Sequence, residues 1–124
     1  MRKVMVLMAC LWSTASLAWA QDPTKVDAKH YKVEFENAQV RVLRVVYGPG
    51  EKSPMHEHPG HVFVFLTDGQ FTFAMQDGKS QDLGASKAGQ TGWAEKVIHA
   101  PQNVGSKPAE LLLVEVKRSG AAKK

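Results

Sequence analysis

The feature that most constrains this chain is the regular interruption of its apolar runs by turn residues. From Tyr31 onward, short runs rich in Val, Phe, Leu and Tyr are broken at Gly48-Pro49-Gly50, at Asp68-Gly69 and at Asp77-Gly78. Runs of this length bounded by Gly, Pro and Asp are strand-like. "YKVEFEN" sets Tyr31, Val33 and Phe35 against Lys32, Glu34 and Glu36, which predicts a half-buried strand. "QVRVLRVVY" is too apolar for a solvated face. "HVFVFLT" and "QFTFAMQ" flank Asp68-Gly69, so the spacing predicts a tight hairpin there, with Phe71, Phe73 and Met75 sharing a face. "WAEKVIH" and "AELLLVEV" read as two further strands, separated from the earlier ones by a weakly patterned, Gly-rich stretch from Gly84 to Gly92. No segment sustains a 3.6-residue period and no repeat appears. The chain is therefore expected to be all-β, a small antiparallel sandwich or barrel.

With 124 residues there is room for one core. The first twenty residues are of another kind. Arg2 and Lys3 precede an uncharged apolar run that ends in Ala18-Trp19-Ala20, after which Gln21 and Asp22 restore polarity. That is the pattern of a secretory signal peptide cleaved after Ala20, which predicts a periplasmic or secreted protein free of the membrane once processed. Cys10, the single cysteine, would leave with it, so no disulfide or thiolate chemistry is expected. The net charge of +4 falls to +2 with the loss of Arg2 and Lys3, and much of that remainder sits in the tail, residues 119–124, and the residues just before it. Without a basic stripe interleaved with aromatics, no nucleic-acid partner is expected. Residues 21–30 read as a flexible lead-in and 31–118 as the folded unit.

Four of the five histidines carry the functional signal. In "GEKSPMHEHPGHVFVFLTDG", His56 and His58 project to the same side of an extended segment. His99 ends the later run "WAEKVIH", and antiparallel pairing can bring it beside them. His61 is two-sided. Strict alternation from His58 turns it outward with Phe63 and Phe65, whereas a bulge at Pro59-Gly60 would swing it toward the other three. His30 reads as surface and Trp93 as core. Glu57 and Glu95 read as solvated, and Tyr47 and Arg44 are candidates for substrate contact.

These residues resemble the cupin family. Gly50, His56, His58 and Gly69 match the spacing of its first motif, and "HAPQN" from His99 to Asn103 is similar to the end of its second. The resemblance implies an antiparallel jelly-roll barrel around one metal ion. The chain departs from the family at Val62, where the first motif usually carries glutamate, and at the opening of the second motif. What the resemblance leaves is a neutral set, His56, His58 and His99, with His61 as conditional fourth ligand.

Three protein ligands and an open position describe a catalytic rather than a structural metal site. Imidazoles without carboxylate or thiolate suit a divalent transition metal, with iron, zinc, copper and nickel undistinguished. Two functions of different class are therefore expected. One is a metal-dependent, dioxygenase-like enzyme acting on a small molecule. The other is a non-catalytic module that binds a metal or small ligand. An outward Phe63 and Phe65 would further predict a homodimer through a sheet face or edge.

Overall fold

The computed structural model describes residues 21–118. The expected signal peptide, residues 1–20, and the basic tail, residues 119–124, lie outside the described residues. A four-residue helix, α1 (Pro23–Val26), precedes nine strands: β1 (Tyr31–Glu36), β2 (Val40–Tyr47), β3 (His56–His58), β4 (His61–Phe65), β5 (Gly69–Met75), β6 (Ser80–Ser86), β7 (Thr91–Ala94), β8 (Val97–Asn103) and β9 (Ala109–Val116). They form two antiparallel sheets, one of five strands in the order β1-β2-β9-β4-β7 and one of four in the order β3-β8-β5-β6. The inner faces of the two enclose the core of a jelly-roll barrel.

Period-two alternation decides which side chains enter that core. On β2 the inward set is Arg41, Leu43, Val45 and Tyr47, and on β9 it is Ala109, Leu111, Leu113 and Glu115. The two strands run in register over eight pairs, from Val40↔Val116 to Tyr47↔Ala109. Leu43 and Ala109 are wholly buried and pack with Tyr31, Val45, Tyr47, Phe65 and Phe71. Truncating Leu43 to alanine would cost about 2–5 kcal/mol, the usual range for a core leucine.

Several sequence expectations change in the fold. Asp68-Gly69 does not close a hairpin, because β4 lies in the five-stranded sheet and β5 in the other. The segment is a corner: the amide of Leu66 donates to the Glu110 carbonyl at 2.9 Å, and the Asp68 carboxylate accepts from the Ala88 amide at 2.8 Å. Asp77-Gly78 does turn β5 into β6, with Gly78 at φ 85°. "WAEKVIH" is two strands, split at Glu95-Lys96, where the chain passes from one sheet to the other. The weakly patterned stretch conceals the end of β6 and the start of β7. Residues 21–30, expected to be loose, are packed down: the Asp22 carboxylate caps α1 by accepting from the Thr24 amide at 2.8 Å, and Pro23, Asp27 and His30 are buried.

Candidate metal centre

β3 and β8 are neighbours in the four-stranded sheet, and their register sets His56 directly opposite His99, with His58 two residues further along β3. All three rings point into the barrel and are buried. Each offers a nitrogen, and these atoms lie within 4.8 Å of one another. Ring centroids are 4.8 Å apart for His56 and His58, 5.0 Å for His56 and His99, and 5.3 Å for His58 and His99. The juxtaposition expected from the sequence is thus present.

The hydrogen bonds show which nitrogens are free. Nδ1 of His56 lies 2.9 Å from the Pro54 carbonyl, and Nδ1 of His58 lies 2.8 Å from the Glu115 carboxylate. Nδ1 of His61 lies 2.8 Å from the Pro59 carbonyl. An acceptor at Nδ1 holds the proton there and leaves Nε2 with a lone pair. The Nε2 atom of His56 and both ring nitrogens of His99 are buried without a hydrogen-bond partner. Unpartnered buried polar atoms cost about 1–3 kcal/mol each and are rare in folded proteins. Protonation offers no relief, because burial and then the neighbouring His58 push His56 down to about 4, and burial with the other three histidines pushes His99 down to about 2. Converging imidazole nitrogens are the donor set a transition metal takes, so the residues fit the ion that the sequence implies.

His61 faces inward, as the bulge alternative requires. The chain leaves the four-stranded sheet after His58 and enters the five-stranded sheet at His61, and Pro59-Gly60 at that step resets the parity. Its ring lies 5.2 Å from that of His58 but outside the tight group of three. The same reset corrects the outward placement of Phe63 and Phe65. Both point into the barrel, and Val62 and Val64 face out. Phe63, Phe65, Phe71, Phe73, Leu111 and Leu113 line a cavity of about 510 Å³, which His58, His61 and His99 border.

Glu115 is the residue that sequence reasoning missed. Glu115 is 2% exposed, and its carboxylate accepts from His58 Nδ1 on one oxygen and from Arg41 Nε, at 2.7 Å, on the other. Burial opposes its ionisation, but the bonds from His58 and Arg41 hold its carboxyl below the usual range. The family's glutamate position is thus Val62, while a carboxylate reaches the site from β9, behind a ligand rather than among them.

Other assignments also move. His30, read as surface, is buried, stacks on Tyr47 at 4.2 Å and lies 2.7 Å from the Asp27 carboxylate. Trp93, read as core, is 52% exposed on the outer face of β7. Arg44 points outward and bonds to Glu34 and Glu110, so it cannot touch a ligand in the barrel. Tyr47 does border the cavity, and its hydroxyl is 2.7 Å from that of Tyr31. Glu57 turns away from the histidines to Lys96, at 2.9 Å, and Glu95 accepts from the Trp93 indole, also at 2.9 Å.

A double-sheeted jelly-roll barrel with a histidine cluster on its inner wall defines the class of small single-barrel proteins. The Cupin_2 family model, described as a cupin domain, matches residues 43–115, and the chain belongs to that family. Solved structures agree on the fold. A cupin domain from Bordetella pertussis Tohama I superposes with a TM-score of 0.64 at 23% identity, over 71% of this chain and 92% of its own. A protein with a double-stranded β-helix domain from Klebsiella pneumoniae gives 0.56 at 22%, over 74% and 78%. An RmlC-like cupin from Methanocaldococcus jannaschii gives 0.53 at 21%, over 73% and 83%. No curated protein matches the chain.

Proposed function

We propose that the protein is an exported cupin that binds one divalent transition metal through His56, His58 and His99, with His61 beside them, and offers it to a small molecule in the barrel. The observation that carries the reading is the set of buried, unpartnered nitrogens on His56 and His99, converging with His58 whose Nδ1 is held by Glu115. A bound ion of this kind supplies Lewis acidity, polarising a donor oxygen or lowering the pKa of water. The chain supplies the rest: four phenylalanines and two leucines exclude water and select an apolar ligand body, and the Tyr31 and Tyr47 hydroxyls give one polar point on the wall.

Oxidative turnover in the manner of a dioxygenase is the enzymatic form of this reading. A non-catalytic binding module is favoured by one observation. The carboxylates near the histidines are already engaged, Glu115 by His58 and Arg41, Glu57 by Lys96 and Glu95 by the Trp93 indole, so among the described residues no unengaged carboxylate stands at the site as general base. Metal analysis of the purified protein, then oxygen uptake with phenols, diketones and thiols, separates the two. One metal per chain in the unaltered protein and none in His99→Ala is the expected outcome. Retention of one metal per chain by His58→Ala after chelator dialysis would refute the site. Mass spectrometry of exported protein should find Gln21 at the N-terminus.

With Phe63 and Phe65 turned inward, we propose that the protein pairs with a second copy through the outer side of its five-stranded sheet instead. Register places Phe35, Val42, Val114, Val62 and Trp93 in one row across the outer side of the five-stranded sheet. Phe35 and Trp93 are 54% and 52% exposed. Strand spacing and length make this face roughly 24 by 27 Å, about 650 Å² per copy, near the ~800 Å² per partner of a stable interface. Arg44 on it is already neutralised by Glu34 and Glu110, so a second copy meets no uncompensated guanidinium there. Light scattering should give a dimer mass for the unaltered protein and a monomer mass for Phe35→Lys/Trp93→Lys. A monomer at tens of micromolar for the unaltered protein would remove the idea.

A further inference from the structure

The packed segment before β1 touches the histidine centre by two routes. The carbonyl of Gln21 accepts from the Glu57 amide at 2.9 Å, which ties the segment to β3 between His56 and His58. Since β3 is an edge of its sheet, this bond holds the side that has no strand beside it. The second route is a chain of charge-assisted bonds. Asp22 accepts from Arg41 Nη1 at 2.7 Å and from Nη2 at 3.3 Å, Arg41 Nε donates to Glu115 at 2.7 Å, and Glu115 accepts from His58 Nδ1 at 2.8 Å. Arg41, Glu115 and His61 also occupy one cross-strand row on the inner face, so the arginine cannot leave without disturbing the carboxylate.

We propose that residues 21–27 are a clasp of the metal centre, in which Asp22 and Glu115 are positioning residues that fix the ring and tautomer of His58 through Arg41. The proposal rests on the metal-binding reading above for its consequence, though not for its geometry. A neutral histidine in water favours the proton on Nε2, the nitrogen a ligand needs free. Glu115 moves the proton to Nδ1, and Arg41 keeps Glu115 from turning to another donor. Asp22 in turn holds the guanidinium plane at its far edge. The same carboxylate closes the turn of α1 through Thr24, so docking of the segment and alignment of His58 are one event. Outer carboxylates of this kind change metal affinity by about 10- to 100-fold.

The test uses the protein in the metal-free state and with zinc as probe. Nitrogen-15 NMR of the metal-free protein should show His58 protonated at Nδ1, and Glu115→Ala should move the proton to Nε2 in most molecules. Zinc affinity should fall about 10- to 100-fold in Glu115→Ala and about three- to tenfold in Asp22→Ala, with Glu115→Gln recovering the tautomer through its side-chain oxygen. Should Glu115→Ala fail to fold, Glu115→Gln and the half-buried Asp22→Ala still decide the matter. Protonation of His58 at Nε2 in the unaltered protein, or zinc affinities within about twofold for both alanine variants, would overturn the clasp. If the unaltered protein takes no zinc, the metal reading fails by itself, and the His58 tautomer in Asp22→Ala and Glu115→Ala still tests the clasp.

Discussion

His56 and His99 are neutral bases kept from protons by their surroundings, and that has a sign. In the unfolded chain each takes a proton near 6.5, whereas burial and neighbouring imidazoles lower the folded values to about 4 and about 2. Below pH 6.5 the unfolded chain therefore binds more protons than the metal-free folded protein, and acid favours unfolding. Stability is full above pH 6.5 and falls by about 1.4 kcal/mol per pH unit for each histidine until its folded value is reached. Urea midpoints for metal-free protein should drop steeply between pH 6.5 and 4, and a flat profile would contradict the burial. Asn103 holds the junction between β2, β8 and the turn before β9. Its side chain donates to the Tyr47 carbonyl at 3.1 Å and the Lys107 carbonyl at 2.9 Å, and accepts from the Gly105 amide at 2.9 Å. Asn103→Ala should lower stability by about 2–4 kcal/mol, since it strands buried backbone groups, and thermal melting measures it. The histidine pairing was legible from spacing, and Glu115 also had a signal. In "AELLLVEV" it falls on the parity of Ala109, Leu111 and Leu113, a charge where the strand faces the core, and Arg41 does the same on the parity of Leu43 and Val45. Two opposite charges at inward positions of different strands predict a buried pair.

Among the elements, strands were read correctly where both faces contrast and misread where the chain changes sheet. Alternation describes one strand in one sheet, so it carries no warning that Pro59-Gly60 or Glu95-Lys96 is a crossing. The reversed parity of Phe63 and Phe65 and the joined "WAEKVIH" both come from that. β6 was missed because its side chains are mostly exposed and lack the apolar members that mark a strand. The short N-terminal helix was missed because four residues leave no period to detect, although Asp22 followed by Pro23 is a cap followed by a residue preset for the first turn. Pairing of β7 with β4 yields a further prediction. At Gly92 a β-carbon would lie 2.5 Å from the Phe63 ring, so Gly92→Ala must drive that ring toward the cavity. The variant should lose about 1–3 kcal/mol by urea denaturation and bind naphthol-sized ligands more weakly, because the space beside His61 shrinks.

At the scale of the whole molecule, the order β1-β2-β9-β4-β7 gives the last strand a central place. β9 bonds to β2 along eight residues and to β4 along five, so no earlier part of the chain can complete the larger sheet. A chain ending at Lys107 should therefore show no cooperative melting and no protected amides in β2. Contacts this distant in sequence also predict folding on the millisecond-to-second scale of non-local β proteins. A polypeptide leaving a narrow conduit from its N-terminus cannot assemble this barrel by instalments. Until residue 116 is out the larger sheet lacks its central strand and the apolar sides of the others stay bare to any holding protein, and the arrival of one strand converts the chain at once into a closed container.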